Sequence, residues 1–269
     1  QIGIEFGLQA LNSTITTGVG STSGMDALGY AADCIRLGRA DCILAGGFEE
    51  VYCKVFQAYE RLGLLAHGDG DVTGPRPFDR RRGGLVLGEA VGVCVLEDLD
   101  AATRRGARIY AELVGYGTFT GPVCKALKRG GYRRSLSWAM AQALEDAGLT
   151  PAEVDVVAAE GSGTALGDRR EAACLHEVLG ERAATVPVFS FKGTTGYCLG
   201  ANGALGAAVA ALALHRGTVP PTAGFGEPDP ACRLAVVAGR PLQLDAEVAL
   251  VNATGPLTAS SLVLKRWRA

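Results

Sequence analysis

Residues 13–47 read STITTGVGSTSGMDALGYAADCIRLGRADCILAGG, and the fold class turns on this stretch. Ser13 to Thr17 is a β-branched run suited to a strand. Met25, Leu28, Ala32 and Ile35 recur at steps of three and four, which predicts a helix from Thr22 to Leu37 that Gly38 stops. Asp41 to Ala45 then reads as a short buried strand ending in Gly46-Gly47. Strand, glycine-flanked turn, helix and strand in succession announce an α/β unit.

Outward from this stretch the alternation continues. Leu85 to Leu96 reads as a long strand, Ala101 to Arg105 as a short helix and Arg108 to Tyr116 as another strand. Ser135 to Ala147 is an amphipathic helix closed by Gly148. Thr150-Pro151-Ala152-Glu153 has the form of a capped helix start. Val154 to Ala158 and Val186 to Ser190 read as buried strands, with a helix between them from Asp168 to Leu179. Gly200 to Arg216 is a small-residue helix that must pack closely, and Val248 to Ala253 and Ser260 to Leu264 are the final strands. Gly117 to Tyr132 is the most irregular stretch and reads as a surface loop.

Composition excludes several classes. The 269 residues are 48% hydrophobic and 20% charged, so a substantial core can be buried and the chain is not disordered. A net charge of −2 offers no basic footprint for nucleic acid. No apolar run approaches the ~18 residues of a membrane-spanning helix. Eight cysteines show no Cys-x-x-Cys spacing, so no metal site is expected; they read as small buried residues of a cytoplasmic protein. Arg80-Arg81-Arg82 reads as a solvated turn, with contact to an acidic partner as the lesser alternative.

Three segments stand out, the first within the opening stretch: Gly18-Val19-Gly20-Ser21-Thr22-Ser23-Gly24, Ala159-Glu160-Gly161-Ser162-Gly163-Thr164 and Lys192-Gly193-Thr194-Thr195-Gly196-Tyr197. Arg76-Pro77-Phe78-Asp79-Arg80, Gly88-Glu89-Ala90-Val91-Gly92-Val93, Thr164-Ala165-Leu166-Gly167-Asp168 and Pro220-Pro221-Thr222 accompany them in order. Together these segments resemble the β-ketoacyl synthases, the condensing enzymes of fatty-acid and polyketide assembly. The resemblance implies a thiolase-like α/β fold, layered α-β-α-β-α, with residues 1–107 ending an incomplete first half and residues 108–269 forming the second. It also implies a preceding N-terminal segment, supplied by a separate polypeptide or lost from this one.

The family's nucleophilic cysteine corresponds to Ser21, and its two histidines correspond to Glu160 and Tyr197. Lys192 matches the family's active-site lysine. A serine hydroxyl is a far weaker nucleophile than a thiolate at neutral pH and needs a neighbouring base. The histidines would stabilise an enolate, each such donor being worth about 3–4 kcal/mol. An ionised Glu160 puts negative charge where negative charge must develop, and Tyr197 can donate but cannot be cationic. Lys192 is expected to pair with Glu160 and neutralise it. Glu160 as a loop carboxylate and Tyr197 as a core aromatic are the plainer alternatives. His67, His176 and His215, the remaining imidazoles, read as surface or helix-terminal residues. Asn252-Ala253-Thr254-Gly255-Pro256-Leu257-Thr258 replaces the family's glycine-rich turn and would shape the gate differently.

These replacements point to a non-catalytic ketosynthase-like subunit, similar to the chain-length factor of type II polyketide synthases. The resemblance then implies two partners: an active ketosynthase, met through the strand Ser13 to Thr17, and an acyl carrier protein. No cofactor is expected beyond the phosphopantetheine of that carrier. The alternative is an acyltransferase or hydrolase that uses Ser21 as acyl acceptor. An isolated scaffolding paralogue is a third possibility.

Overall fold

The computed structural model describes residues 2–7, 11–16, 20–67, 74–121, 131–255 and 257–268. Helix α1 (Ile2–Glu5) is a single turn. Residues 11–16 form no strand, contrary to expectation, and Thr17 lies outside the described residues. The β propensity is there, but no described strand pairs with this segment, and an unpaired strand has no ladder to hold it. Helix α2 (Ser23–Arg36) matches the predicted helix within a residue or so at each end. Strand β1 (Cys42–Glu49) runs through Gly46-Gly47 rather than ending there, because it pairs antiparallel with β2 (Ala90–Glu97) from Cys42↔Glu97 to Glu49↔Ala90. Helix α3 (Cys53–Arg61), which the sequence reading did not assign, lies between them and buries Tyr59. Residues 85–89 were expected to extend β2, yet they make only isolated bridges, Leu65↔Leu85 and Leu87↔Tyr197.

Helix α4 (Leu99–Arg104) is capped by Asp98, whose carboxylate accepts from the Ala101 N–H at 3.0 Å. Strand β3 (Glu112–Thr120) lies further along than expected, because its register with β10 carries it through Gly117 to Thr120. Gly117–Thr120 are therefore strand and not loop; residues 122–130 of that expected loop lie outside the description, and helix α5 (Gly131–Asp146) takes in its end. Pro151–Glu153 has the expected capping box but makes only one 3₁₀ turn before β4 (Val156–Ala158). There follow α6 (Ala165–Leu179), β5 (Pro187–Phe189), the single turn α7 (Lys192–Thr195) and α8 (Asn202–Arg216), which begins after a 3₁₀ turn at Leu199–Ala201. The short strands β6 (Thr218–Val219), β7 (Ala235–Val236) and β8 (Leu242–Gln243) precede β9 (Val248–Thr254) and β10 (Thr258–Lys265).

The main sheet has the order β3-β10-β9-β4-β5-β7, with β9, β4, β5 and β7 parallel and β10 and β3 antiparallel to their neighbours. One face is covered by α5 and α6, through Leu136, Met140, Ala172 and Leu175. The other is covered by α2 and α8, through Met25, Leu28, Ala207 and Leu214, which also meet Ala45 of β1. The order of layers is thus helix, sheet, helix, sheet, the thiolase-like arrangement. Close approach demands small residues here. A Cβ on Gly47 would lie 2.3 Å from the Gly200 carbonyl oxygen, and one on Gly117 would lie 2.2 Å from that of Ala139.

Two expectations fail on burial. Arg82 does not belong to a solvated turn: its side chain is buried and pairs with Asp229 at 2.8 Å and Asp168 at 3.4 Å. That pairing ties the 76–84 loop to the start of α6, where Asp168 also accepts from the Phe78 N–H at 2.7 Å. Among the cysteines Cys42 and Cys53 are exposed, and Cys124 lies outside the described residues.

Candidate functional site

Parallel strands deliver their carboxyl ends to one edge of a sheet, where loops can converge. Glu160 follows β4, Lys192 follows β5 and Thr254 ends β9, and these three strands are neighbours. Ser21 arrives from the other side, two residues ahead of the first residue of α2, where the helix N-terminus contributes partial positive charge. Gly161 makes the turn possible: its φ is +46°, and a Cβ there would lie 2.6 Å from that of Ser190. Thr164 caps α6 by accepting from the Gly167 N–H, and Asp168 holds the Gly163 N–H at 3.1 Å, so the 159–164 loop is anchored at its exit.

Three of the four sequence-derived residues form one buried cluster. The Ser21 hydroxyl lies 2.6 Å from Glu160 Oε1 and 2.8 Å from the Thr254 carbonyl oxygen. It has one proton to donate, and the carboxylate is both nearer and charged. In return Ser21 Oγ accepts from the Thr254 N–H at 3.0 Å. Glu160 Oε2 makes no hydrogen bond but faces Lys192 Nζ at 3.4 Å. Lys192 also donates to the Ala159 carbonyl at 3.3 Å and sits 4.2 Å from the centre of the Phe191 ring. Ser21, Glu160 and Lys192 are at most 2% exposed. Tyr197 joins through Thr254 instead, donating to its carbonyl at 3.2 Å.

Two residues that sequence reasoning missed complete the surroundings. Glu171 of α6 accepts from the backbone N–H groups of Glu160 and Gly161, both at 2.8 Å, and from the Asn252 amide at 3.2 Å. Burial pushes its carboxyl up to about 7, and the charge of Glu160 adds to this against the lowering effect of the backbone bonds. Tyr59 of α3 packs with Tyr197 in a small apolar cluster. Burial, with the charges of Glu49 and Glu160, pushes its hydroxyl up to about 12. Nothing in the spacing of Glu171 marks it out from other helical glutamates. Thr254, the hub of the cluster, falls within the C-terminal stretch flagged as a different gate; Pro256 of that stretch lies outside the described residues.

The arrangement is closed on itself. Acyl transfer needs backbone N–H groups aimed at the oxygen on which charge develops. Here the Thr254 N–H points at Ser21 Oγ, and the Ser21 N–H donates to the Thr254 carbonyl at 3.4 Å. The carboxylate that could act as base is already paired with the buried ammonium. Neither His67, His176 nor His215 reaches the cluster: His67 lies 3.7 Å from Glu60, His176 contacts the Cys232 carbonyl and His215 stacks edge-on against Tyr110.

Comparison with known proteins bears on the whole chain. Residues 1–102 match the model of the beta-ketoacyl synthase N-terminal domain and residues 110–226 that of the C-terminal domain. The tetracenomycin polyketide synthase ketoacyl synthase alpha subunit of Streptomyces glaucescens is 40% identical over 240 residues, covering 88% of this chain and 55% of that protein. The 3-oxoacyl-[acyl-carrier-protein] synthase 2 of Staphylococcus aureus (strain COL) is 34% identical over 256 residues, covering 95% of this chain and 61% of that protein. The chain thus spans little more than half the length of these curated relatives. Among solved structures, the ishigamide ketosynthase/chain length factor superposes with a TM-score of 0.88 at 34% identity, covering 99% of this chain and 64% of that one. A type II acyl-carrier protein in complex with its ketosynthase, AntDE:AntF, gives 0.90 at 31% identity, covering 99% and 66%. Shared sequence, layered fold and matched domain models lead to one assignment: the chain belongs to the beta-ketoacyl synthase family.

Proposed function

We propose that this chain is a non-catalytic ketosynthase-like subunit that pairs with an active ketosynthase and helps to shape the tunnel for the growing acyl chain. One observation carries the proposal: Ser21 and Lys192 both pair with Glu160 in a buried cluster at the position where the family places its nucleophile and enolate-stabilising groups. The serine lacks a thiolate's reactivity, and Glu160 opposes the negative charge of an enolate. The relative named as an alpha subunit supports the ketosynthase frame, and the neighbour described as a ketosynthase/chain length factor supports the kind of partner. The acyl groups would come on the phosphopantetheine arm of an acyl carrier protein, a kind of partner that the AntDE:AntF complex supports. The test is to co-express the chain with an active ketosynthase and carrier protein and analyse products. A stoichiometric complex is expected, with product length altered by the chain and no condensation by the chain alone. Condensation of acyl and malonyl units by the chain alone would overturn the proposal.

The contact of 2.6 Å between Ser21 Oγ and Glu160 Oε1 favours one second reading, in which Glu160 acts as general base and Ser21 takes an acyl group from a carrier thioester. The hydroxyl would attack the thioester carbonyl, its proton passing to Glu160 and the carrier thiolate leaving. Intact-protein mass spectrometry after incubation with acyl carrier thioester decides it: an adduct lost in Ser21→Ala supports acyl transfer, and an unmodified chain excludes it.

A further inference from the structure

The 159–164 loop joins β4 to α6 and carries Glu160, and α6 holds it with two buried carboxylates about one turn apart. Asp168 takes the exit half. It accepts from the Gly163 N–H and the Ser162 hydroxyl, both at 3.1 Å, and pairs with Arg82 at 3.4 Å. Glu171 takes the entry half, through the N–H groups of Glu160 and Gly161. The two holds differ in charge. Glu160 has Lys192 and Asp168 has Arg82, but among the described residues no ammonium or guanidinium pairs with Glu171. Its remaining partner is the neutral Asn252 amide. A buried carboxylate that has no cation and lies in the field of a second carboxylate is costly to ionise.

We infer that Glu171 is a proton-controlled latch for this loop: protonated, it keeps residues 160–162 in the closed position that seats Glu160 against Ser21, and ionised, it releases them. Gly161 at φ +46° and Gly163 at φ +79° give the released segment its freedom to turn. The Ala159 N–H, bonded to the Phe189 carbonyl at 2.8 Å, pins the chain on the β4 side. The Ser190 hydroxyl lies 3.2 Å from the Gly161 carbonyl and 3.4 Å from that of Glu160, a neutral hold that does not change with pH. The charged groups around the latch are Glu160 on the loop, Lys192 of α7 behind it, Asp168 on α6 and Arg82 of the 76–84 loop. From β9 and α5 Glu171 meets the neutral Asn252 and, beyond it, Met140, and the Cys174 thiol, pushed up to about 11 by burial, stays neutral. Burial, the largest effect, pushes the Glu171 carboxyl from 4.5 up to about 7 in the closed loop. The closed loop therefore binds the proton more tightly than an open one, so opening grows as pH rises from 4.5 towards 7 and levels off above. Asp168, pushed up to about 6 by burial with Arg82 opposing, acts in the same direction over a narrower range. The latch concerns the position of the loop and holds whether Ser21 is inert or takes an acyl group.

Hydrogen exchange of the chain, read by mass spectrometry between pH 5 and pH 7.5 and corrected for the intrinsic rate at each pH, measures the opening. Peptides spanning residues 159–164 are compared with those of β9 (Val248–Thr254), whose exchange reports the stability of the whole fold. Relative to β9, opening of the loop should rise about tenfold or more from pH 5 to pH 7.5. Glu171→Gln, which keeps an acceptor oxygen but cannot ionise, should reduce that rise to about threefold or less. A wild-type loop whose relative opening is the same at both ends of the range overturns the inference, whether or not the variant folds. A folded Glu171→Gln chain that keeps the full rise also overturns it, because the proton would then reside on Asp168.

Discussion

Ser21, Glu160 and Lys192 are linked by two interactions that both run through Glu160, and removing any one member leaves a buried partner without its contact. Ser21→Ala leaves the Thr254 N–H and Glu160 Oε1 without their hydroxyl partner, so unfolding free energy should drop by about 1–3 kcal/mol in urea titration. Glu160→Gln leaves Lys192 as an unpaired buried cation, and Lys192→Met leaves the opposite charge; each should cost about 3–5 kcal/mol. The double variant should be less destabilised than the sum of the two, and strict additivity would mean that the pair does not interact. Glu171 adds a pH dependence. Its carboxyl is raised from 4.5 to about 7 in the folded chain, so the folded state binds the proton more tightly than the unfolded state. Its contribution is therefore fully present below pH 4.5 and is lost as pH rises towards 7. Asp168, raised by burial to about 6, acts in the same direction but is common to both proteins in a comparison with Glu171→Gln. The stability of the wild type relative to Glu171→Gln should decline across that window and level off above it. A flat difference from pH 5 to 8 would place the Glu171 proton elsewhere.

At the scale of elements, α2, β1 and the 199–201 turn meet through glycine. A Cβ on Gly47 would stand 2.3 Å from the Gly200 carbonyl oxygen and 2.9 Å from Gly24 Cα, and both neighbours are backbone that cannot swing aside. Gly47→Ala should therefore destabilise by about 1–3 kcal/mol, whereas Gly83→Ala, with open space around its Cβ, should be close to neutral in the same thermal melt. Comparable losses would mean that α2 and β1 can move apart. The same scale shows where local reading succeeded and failed. The steps of three and four in α2 are a property of consecutive residues, and the helix appeared where they placed it. The β propensity of residues 13–16 is equally local, but a strand exists only when another strand accepts its hydrogen bonds. For the same reason β3 moved to Glu112–Thr120, where β10 sets the register.

For the whole molecule, burial is uneven. Every residue of β9 is buried and all but the last of β10, while β1 and β2 face solvent on one side. Hydrogen exchange should find amides of β9 and β10 slower than those of β1 and β2 by roughly a hundredfold or more. Equal protection would mean that the outer sheet is already covered in solution. The amino-acid sequence by itself determined the α/β alternation, the family and the identity of the replaced residues, because periodicity and motif order are written in adjacent residues. It also carried the expectation that Lys192 would neutralise Glu160, since opposite charges in motifs of one site tend to meet. Only the tertiary structure decided that Ser21 is tied to Glu160 and Thr254, residues 139 and 233 positions away. It alone brought Glu171 beneath the loop and turned Arg82 inward to Asp168 and Asp229. Such contacts arise when parallel strands bring their carboxyl ends to one edge, and the geometry of that edge is set by strand order and register, which no local pattern of residues encodes.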